Sequence, residues 1–386
     1  MGKITNLEGH QILDSKGHPT IEVKITTEEG YMVSDSVPSG LTTGSFETVA
    51  VEPKRAEDHI NNIIAPKMIG LDPRDQEKID QLLLELDGTP NRSKLGANAL
   101  LGVSLATARA GAMTDKKPLF WHLNHLYNKI AKTALEPAIP TPMMVMIEGG
   151  KHGNNNLCIQ EFLCLGSLED GEKIWKSLEQ ILVELNITPT LGSEGGFAPK
   201  FDYDEDAFDY LLEAISRSGL KVPENVKLGL DVAGNHCQIG ETDIIRLMKK
   251  YPIYSLEDPA PEEAWQRWAD LKHQLDGLDK DYLLVGDDIF VTNELRLESA
   301  INNMMANAII IKANQAATLT ETLKVIALAQ KSGFTHIVSH RAHETMDTFI
   351  ADLAVATAAK FLKAGAPFAG ERLAKYERLK EISEEL

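Results

Sequence analysis

Three short apolar segments of this chain each stop at a carboxylate, and a fourth stops at a lysine. Val226-Lys-Leu-Gly-Leu230 leads into Asp231, Ile253-Tyr-Ser-Leu256 into Glu257, Leu283-Leu-Val-Gly286 into Asp287, and Ala308-Ile-Ile-Ile311 into Lys312. Acids that converge from neighbouring strands repel one another and raise each other's pKa unless a cation lies between them. Magnesium, a hard ion that prefers oxygen, suits such a cradle. Lys312 beside metal-held acids is placed to act as a base, since a lysine among charges shifts its pKa readily. Strand side chains alternate, so only one of Glu257 and Asp258, and one of Asp287 and Asp288, can face inward. The competing reading is that each acid caps the helix after its strand. Three acids and a lysine in consecutive units favour the metal site.

Other candidates lie outside that run. Glu194 sits in Leu191-Gly-Ser-Glu-Gly-Gly-Phe-Ala-Pro199, either a loop that closes on a ligand or a plain tight turn. His152, in Gly149-Gly-Lys-His-Gly-Asn-Asn-Asn156, is either a polar loop residue or a proton-handling group. Arg341 follows Ser339-His340 at the end of another apolar segment, and arginine is the natural bidentate partner of a phosphate or carboxylate. Lys363 stands where a last strand would end.

The elements that must position these residues are short, β-branched and bounded by turn formers, as buried parallel strands are. Their ends fall at positions 231, 257, 287, 312 and 340, a spacing that fits one βα unit each, at about 30 residues per unit. Acids at the C-terminal ends of successive strands are where a (β/α) barrel keeps its chemistry. Before the barrel, Ile12 to Ile25 contains a Ser-Lys-Gly-His-Pro turn and then alternates as a half-buried strand, pairing as a hairpin with Tyr31 to Val37. Pro38 to Ser45 is a small-residue loop of the kind that moves. Helices are predicted over 75–86 and 96–112, the second buried on several sides. The Pro-rich Glu136 to Pro142 stretch joins the two parts. The chain divides into an N-terminal α+β domain, 1–133, and a barrel, 134–386, ending in a charged, solvated helix from Glu377 to Leu386.

The 386 residues, 43% apolar and 25% charged, describe a globular chain. A net charge of −18 argues against a nucleic-acid partner, and no apolar run is long enough for a membrane span. Cys158, Cys164 and Cys237 are too few and scattered for a disulfide framework or a zinc site, which points to the cytoplasm.

Taken in order, ILDSKGHPTIEV, PSGLTTG, LDGTPNRSKLGANALLGVSLA, NNNLCIQEF, SEGGFAP, GLDVA, SLEDP, GDDIFVTN, IIIKANQ, VSHR, KAGAP and ERLAKY resemble the enolase family over almost the whole chain. The resemblance implies an α+β cap on an unusual (β/α) barrel, a homodimer, and magnesium-dependent, reversible dehydration of 2-phosphoglycerate to phosphoenolpyruvate in glycolysis. It implies that Asp231, Glu257 and Asp287 hold the catalytic magnesium, and that Ser39 brings a second when its loop closes. Lys312 would remove the C2 proton, and Glu194, supported by Glu161, would protonate the departing hydroxyl. Lys363 would contact the substrate, Arg341 its phosphate, and His152 would lie on a closing loop.

The chain departs from the family pattern at Ala342 and His343, where serine and glycine are usual, and at Glu148, usually asparagine. Ser193 replaces an aspartate, and Phe368 to Gly370 replaces a stretch with serine and arginine. The chain is also shorter, after Pro53 and after Cys237. Losing one charge-assisted hydrogen bond to phosphate costs roughly 1.5–3 kcal/mol, and His343 is either a replacement donor or a crowding group. Two alternatives follow: a lyase of the same superfamily acting on another hydroxy acid, and a weakly active paralogue with a binding role.

Overall fold

The computed structural model describes residues 2–40, 46–368 and 370–386. Strands β1 (Ile4–Leu13), β2 (Pro19–Thr27) and β3 (Met32–Val37) form an antiparallel sheet in that order. The β2–β3 hairpin is the predicted one, its Ile21, Val23 and Ile25 buried on one face. β1 was not foreseen as a strand, because its polar residues hide the alternation; it pairs along β2 from Ile4 to Leu13. The predicted helices occupy Gln76–Asp87 and Ala97–Asp115. The second lies so close to the sheet that a Cβ on Gly102 would stand 2.7 Å from a Val23 methyl.

Among the described residues, eight strands close a barrel: β4 (Thr141–Glu148), β5 (Glu161–Leu165), β6 (Lys227–Asp231), β7 (Ile253–Glu257), β8 (Leu283–Gly286), β9 (Ala308–Ile311), β10 (Thr335–Ser339) and β11 (Phe361–Gly365). They neighbour one another in sequence order and β11 closes on β4. β5 is antiparallel to both β4 and β6, while the other pairings are parallel. The continuous apolar runs are explained by burial on both faces. In β9, Ala308 and Ile310 join the barrel interior with Val145, Leu163 and Val285, while Ile309 and Ile311 pack outward into the larger core.

Polar contacts fasten cap to barrel. Arg109 donates to Asp35 of β3 at 2.6 Å and to Asp347 after β10 at 2.8 and 2.9 Å. Asp80 accepts from Thr320 N and Oγ1 at 2.9 and 2.6 Å.

One expectation is corrected. Cys158 and Cys237, distant in sequence, are bonded as a disulfide because the loops after β4 and after β6 lie side by side; Cys164 is free and buried. The C-terminal helix Gly370–Glu385 ends charged and largely solvated as expected, seven of the ten residues from Glu377 to Leu386 being exposed while Leu379 and Ile382 are buried. No helix among the described residues is long and apolar enough to cross a membrane.

Candidate active site

One rim of the barrel collects the acids. β6 and β7 end at Asp231 and Glu257, and Asp287 and Lys312 follow β8 and β9 directly. β5 runs the opposite way, so its first residue, Glu161, reaches the rim that the other strands reach with their last. The register lays Glu148, Glu161, Asp231 and Glu257 in one row across β4 to β7. Lys363 of β11 reaches into that row, its Nζ 2.9 Å from Glu161, 2.9 Å from Glu257 and 3.5 Å from Asp231. Lys312 Nζ donates to Asp287 Oδ2.

Charge crowding sets the proton affinities. Burial and the Asp231 charge push Glu257 well above the usual carboxylate range, and burial likewise raises Asp231. Burial would raise Asp287 too, but the Lys312 ammonium outweighs it and holds the carboxyl low. Burial opposes the charge on Lys363, yet Glu161, Glu257 and Asp231 raise it well above its ordinary value. Lys312 is raised against its burial by Asp287, so it is protonated while that pair lasts.

The expected inward-outward alternation does not hold at Asp258 and Asp288. Both follow the end of their strands, and a positive φ of 40° at Asp258 turns the chain there. The Asp258 carboxylate accepts from the Asp287 and Asp288 amides at 3.0 and 2.9 Å. Oxygens of Asp258, Asp287 and Asp288 lie within 4.8 Å of one another, an arrangement that could hold a metal ion. The residues fit an oxygen-preferring ion, because Asp287 Oδ1 is buried and has no hydrogen-bond partner among the described residues.

Across the same pocket, Glu194 is buried between two imidazoles. His340 Nε2 lies 2.9 Å from Oε2, and His152 Nδ1 lies 3.8 Å from Oε1 and 3.2 Å from Glu161. Burial favours the neutral acid, but the facing His340 and His152 hold Glu194 well below its usual value. His152 is raised to about 9, burial being overcome by Glu194 and Glu161. The glycine-rich loop wraps Glu148, which accepts from Glu194 N at 3.0 Å, Gly196 N at 2.7 Å and Ser193 Oγ at 3.2 Å. A Cβ on Gly192 would come within 2.5 Å of that carboxylate, so the glycine serves this contact. Burial, together with the Glu194 charge, raises Glu148 to about 8.

Arg341 lines the pocket and is already engaged, donating to Glu47 at 3.1 and 3.3 Å and to Asn314 at 2.9 Å. The buried Arg372 supports its loop through the Arg341 and Ala342 carbonyls, each at 2.6 Å, and through His340 Nδ1. Ala342 lines the pocket, whereas His343 faces Asp14 and His18. Ser39 is pinned by its backbone to His343, and its neighbour Gly40 lines the pocket. Residues 41–45 of the predicted moving loop, and Ala369 of the altered 368–370 stretch, lie outside the described residues.

Family comparison matches this architecture to the enolase C-terminal TIM barrel domain over residues 136–243 and 241–386, and to the enolase N-terminal domain over 4–123. The chain belongs to the enolase family. It is an enolase-like lyase by that membership, and the pocket brings together Lys312, Glu194, His152, Glu161, Arg341, Lys363, Asp231 and Asp287, with Glu257 beneath Lys363. Sequence reasoning missed the parts of this enolase pocket that carry no local signal. Glu47 lies at the edge of a small-residue loop, and Asp258 and Asp288 were set aside as facing away. His340 and Arg372 stood inside quoted motifs, but only the fold brings them together at Glu194.

Proposed function

We propose that this chain dehydrates 2-phosphoglycerate to phosphoenolpyruvate, reversibly and with magnesium, as a phosphopyruvate hydratase of glycolysis. One observation carries the reading: Lys312, after β9, and Glu194, bridged through its loop to β4, face one pocket from distant parts of the strand ring. An elimination that removes a proton from one face and a hydroxyl from the other needs that placement.

Lys312 takes the proton from C2, the C2–C3 double bond forms, and the C3–oxygen bond breaks as Glu194, ionised in the resting pocket, passes a proton drawn from the protonated His152 to the leaving hydroxyl, releasing water. Lys363 balances charge on the substrate carboxylate, Arg341 takes the phosphate, Glu161 and His152 hold Glu194, and Asp231, Glu257 and Asp287 hold magnesium, with Ser39 assigned to a second ion. When bound, magnesium supplies positive charge against the extra negative charge that ionisation places on the carboxylate. Asp287 would be one of the residues holding that ion, and Lys312, kept protonated by the Asp287 carboxylate, must part from it to act as the base. The division into a 1–133 cap and a 134–386 catalytic barrel and the homodimer belong to the same reading, as does the cytoplasmic location, which rests on the glycolytic role alone because Cys158 and Cys237 are bonded.

Absorbance of phosphoenolpyruvate formed from 2-phosphoglycerate by the purified protein with magnesium tests it. Lys312→Ala is expected to lower kcat by about 10²–10⁴-fold; no product from the parent protein, or a parent rate in the variant, overturns the reading. A second reading, a different hydroxy acid as substrate, is favoured by Ala342 and by Glu47 on Arg341. A substrate panel in which 2-phosphoglycerate gives the highest kcat/KM removes it.

A further inference from the structure

Away from the acid rim, the turn after β1 and the loop after β10 bring Asp14, His18 and His343 together. Asp14 Oδ1 is fully used inside the turn, accepting from Lys16 N at 2.8 Å and His18 N at 2.9 Å. Its Oδ2 is buried, has no hydrogen-bond partner among the described residues, and points at the two imidazoles. Nδ1 of His18 and Nδ1 of His343 each lie 3.7 Å from that oxygen, too far for a hydrogen bond. The two rings lie 4.9 Å apart, and the three candidate ligand atoms are all within 4.8 Å of one another.

We propose that Asp14, His18 and His343 form a binding site for a borderline divalent cation of the zinc class, which staples the cap to the loop carrying Arg341. Two imidazole nitrogens and one carboxylate oxygen are a donor set for Zn²⁺ rather than for Mg²⁺. Tetrahedral zinc with bonds of about 2.0–2.1 Å sets its ligand atoms about 3.4 Å apart, so the 3.7 Å spacings need to close by only a few tenths. The His18 side chain is 61% exposed and free to make that adjustment, and its open side leaves room for water as a fourth ligand. The backbone is already fixed around the site. Ser39 and His343 exchange two hydrogen bonds of 3.0 Å, and Ser15 N donates to Glu344 O at 2.8 Å. A cation there would tie three segments at the edge of the pocket: the β1–β2 turn, the chain at Ser39, and the stretch that leaves Arg341. His343 is also the family departure that the pocket itself does not use.

The test is calorimetric titration of the full-length protein with Zn²⁺ in saturating Mg²⁺, which fills hard carboxylate sites, together with Co²⁺ absorption in the visible. The parent is expected to bind one Zn²⁺ per chain and to show intensified Co²⁺ bands. His18→Gln and His343→Gly are each expected to weaken Zn²⁺ at least ~10-fold, the loss that even an outer-sphere partner causes. They are also expected to abolish the rise in Tm that Zn²⁺ gives the parent. His18 is exposed, so His18→Gln keeps the test valid if the other variant folds poorly. A parent that binds no Zn²⁺ over the Mg²⁺ background, or variants that bind it with parent affinity and stoichiometry, overturns the proposal.

Discussion

At the scale of single residues, the pocket's behaviour depends on carboxylates held away from their ordinary proton affinities. Glu148 is the clearest case, raised to about 8 by burial and by Glu194. The folded chain keeps that proton at pH values where the unfolded chain has lost it. Its stabilising contribution is therefore complete below the unfolded value of 4.5 and is lost as pH rises toward about 8. Glu148→Gln should flatten the fall of Tm over that window, as thermal scans at stepped pH would show. Glu47 gives a prediction of opposite flavour, since its carboxylate stands on the arginine assigned to the substrate's phosphate. A hydrogen bond to a charged group contributes about 1.5–3 kcal/mol, so Glu47→Gln should lower KM by about tenfold or more with little change in kcat. A raised KM in steady-state kinetics would instead mean that Glu47 aims the guanidinium. Such residues show how far reading a sequence goes. Asp231, Glu257, Asp287 and Lys312 were legible because each ends an apolar strand. Glu148 stood out only as a departure, since its partners lie some 46 positions away in the chain. Glu47 and Arg372 act through contacts that no local pattern announces.

At the scale of elements, the loops above the rim are held by more than their own turns. The disulfide joins Cys158, at the end of the His152 loop, to Cys237, beyond β6 and Asp231, across a sequence separation of 79. In the chain-entropy picture a closed loop of that size stabilises by about 4 kcal/mol. Reduction under native conditions should lower Tm by several degrees and raise the titratable thiols of the unfolded protein from one to three. Three thiols without reductant would mean that the bridge is not made in solution. Strand periodicity placed most barrel strands well, because a buried strand is apolar on both faces. It could not show β1, whose exposed side is polar and whose Gly9 is covered by Ile60. Nor could it show that β5 is reversed, because an alternating or apolar run reads the same in either direction.

At the scale of the whole molecule, cap and barrel are joined by charge as well as by core. Arg109 lies between Asp35 and Asp347, and burial with the Asp347 charge raises Asp35 well above the usual range. Removing one member of a buried ion cluster leaves uncompensated charge, at a cost of about 3–5 kcal/mol. Arg109→Met should therefore lower the denaturation midpoint and separate two transitions, monitored by Trp121 fluorescence in the cap and by circular dichroism. A single, unshifted transition would show that the apolar core alone couples the domains. The reversed β5 has its own consequence at this scale. A ring of identical βα units has rotational equivalence, so its chain can be cut and rejoined one unit further along with each strand still in register. Here one strand of opposite polarity marks an origin on the ring. Seven strands, β6 to β11 and then β4, share one polarity around the ring and β5 alone opposes it, so a slip of the ring by one unit would set a reversed strand where a parallel one belongs.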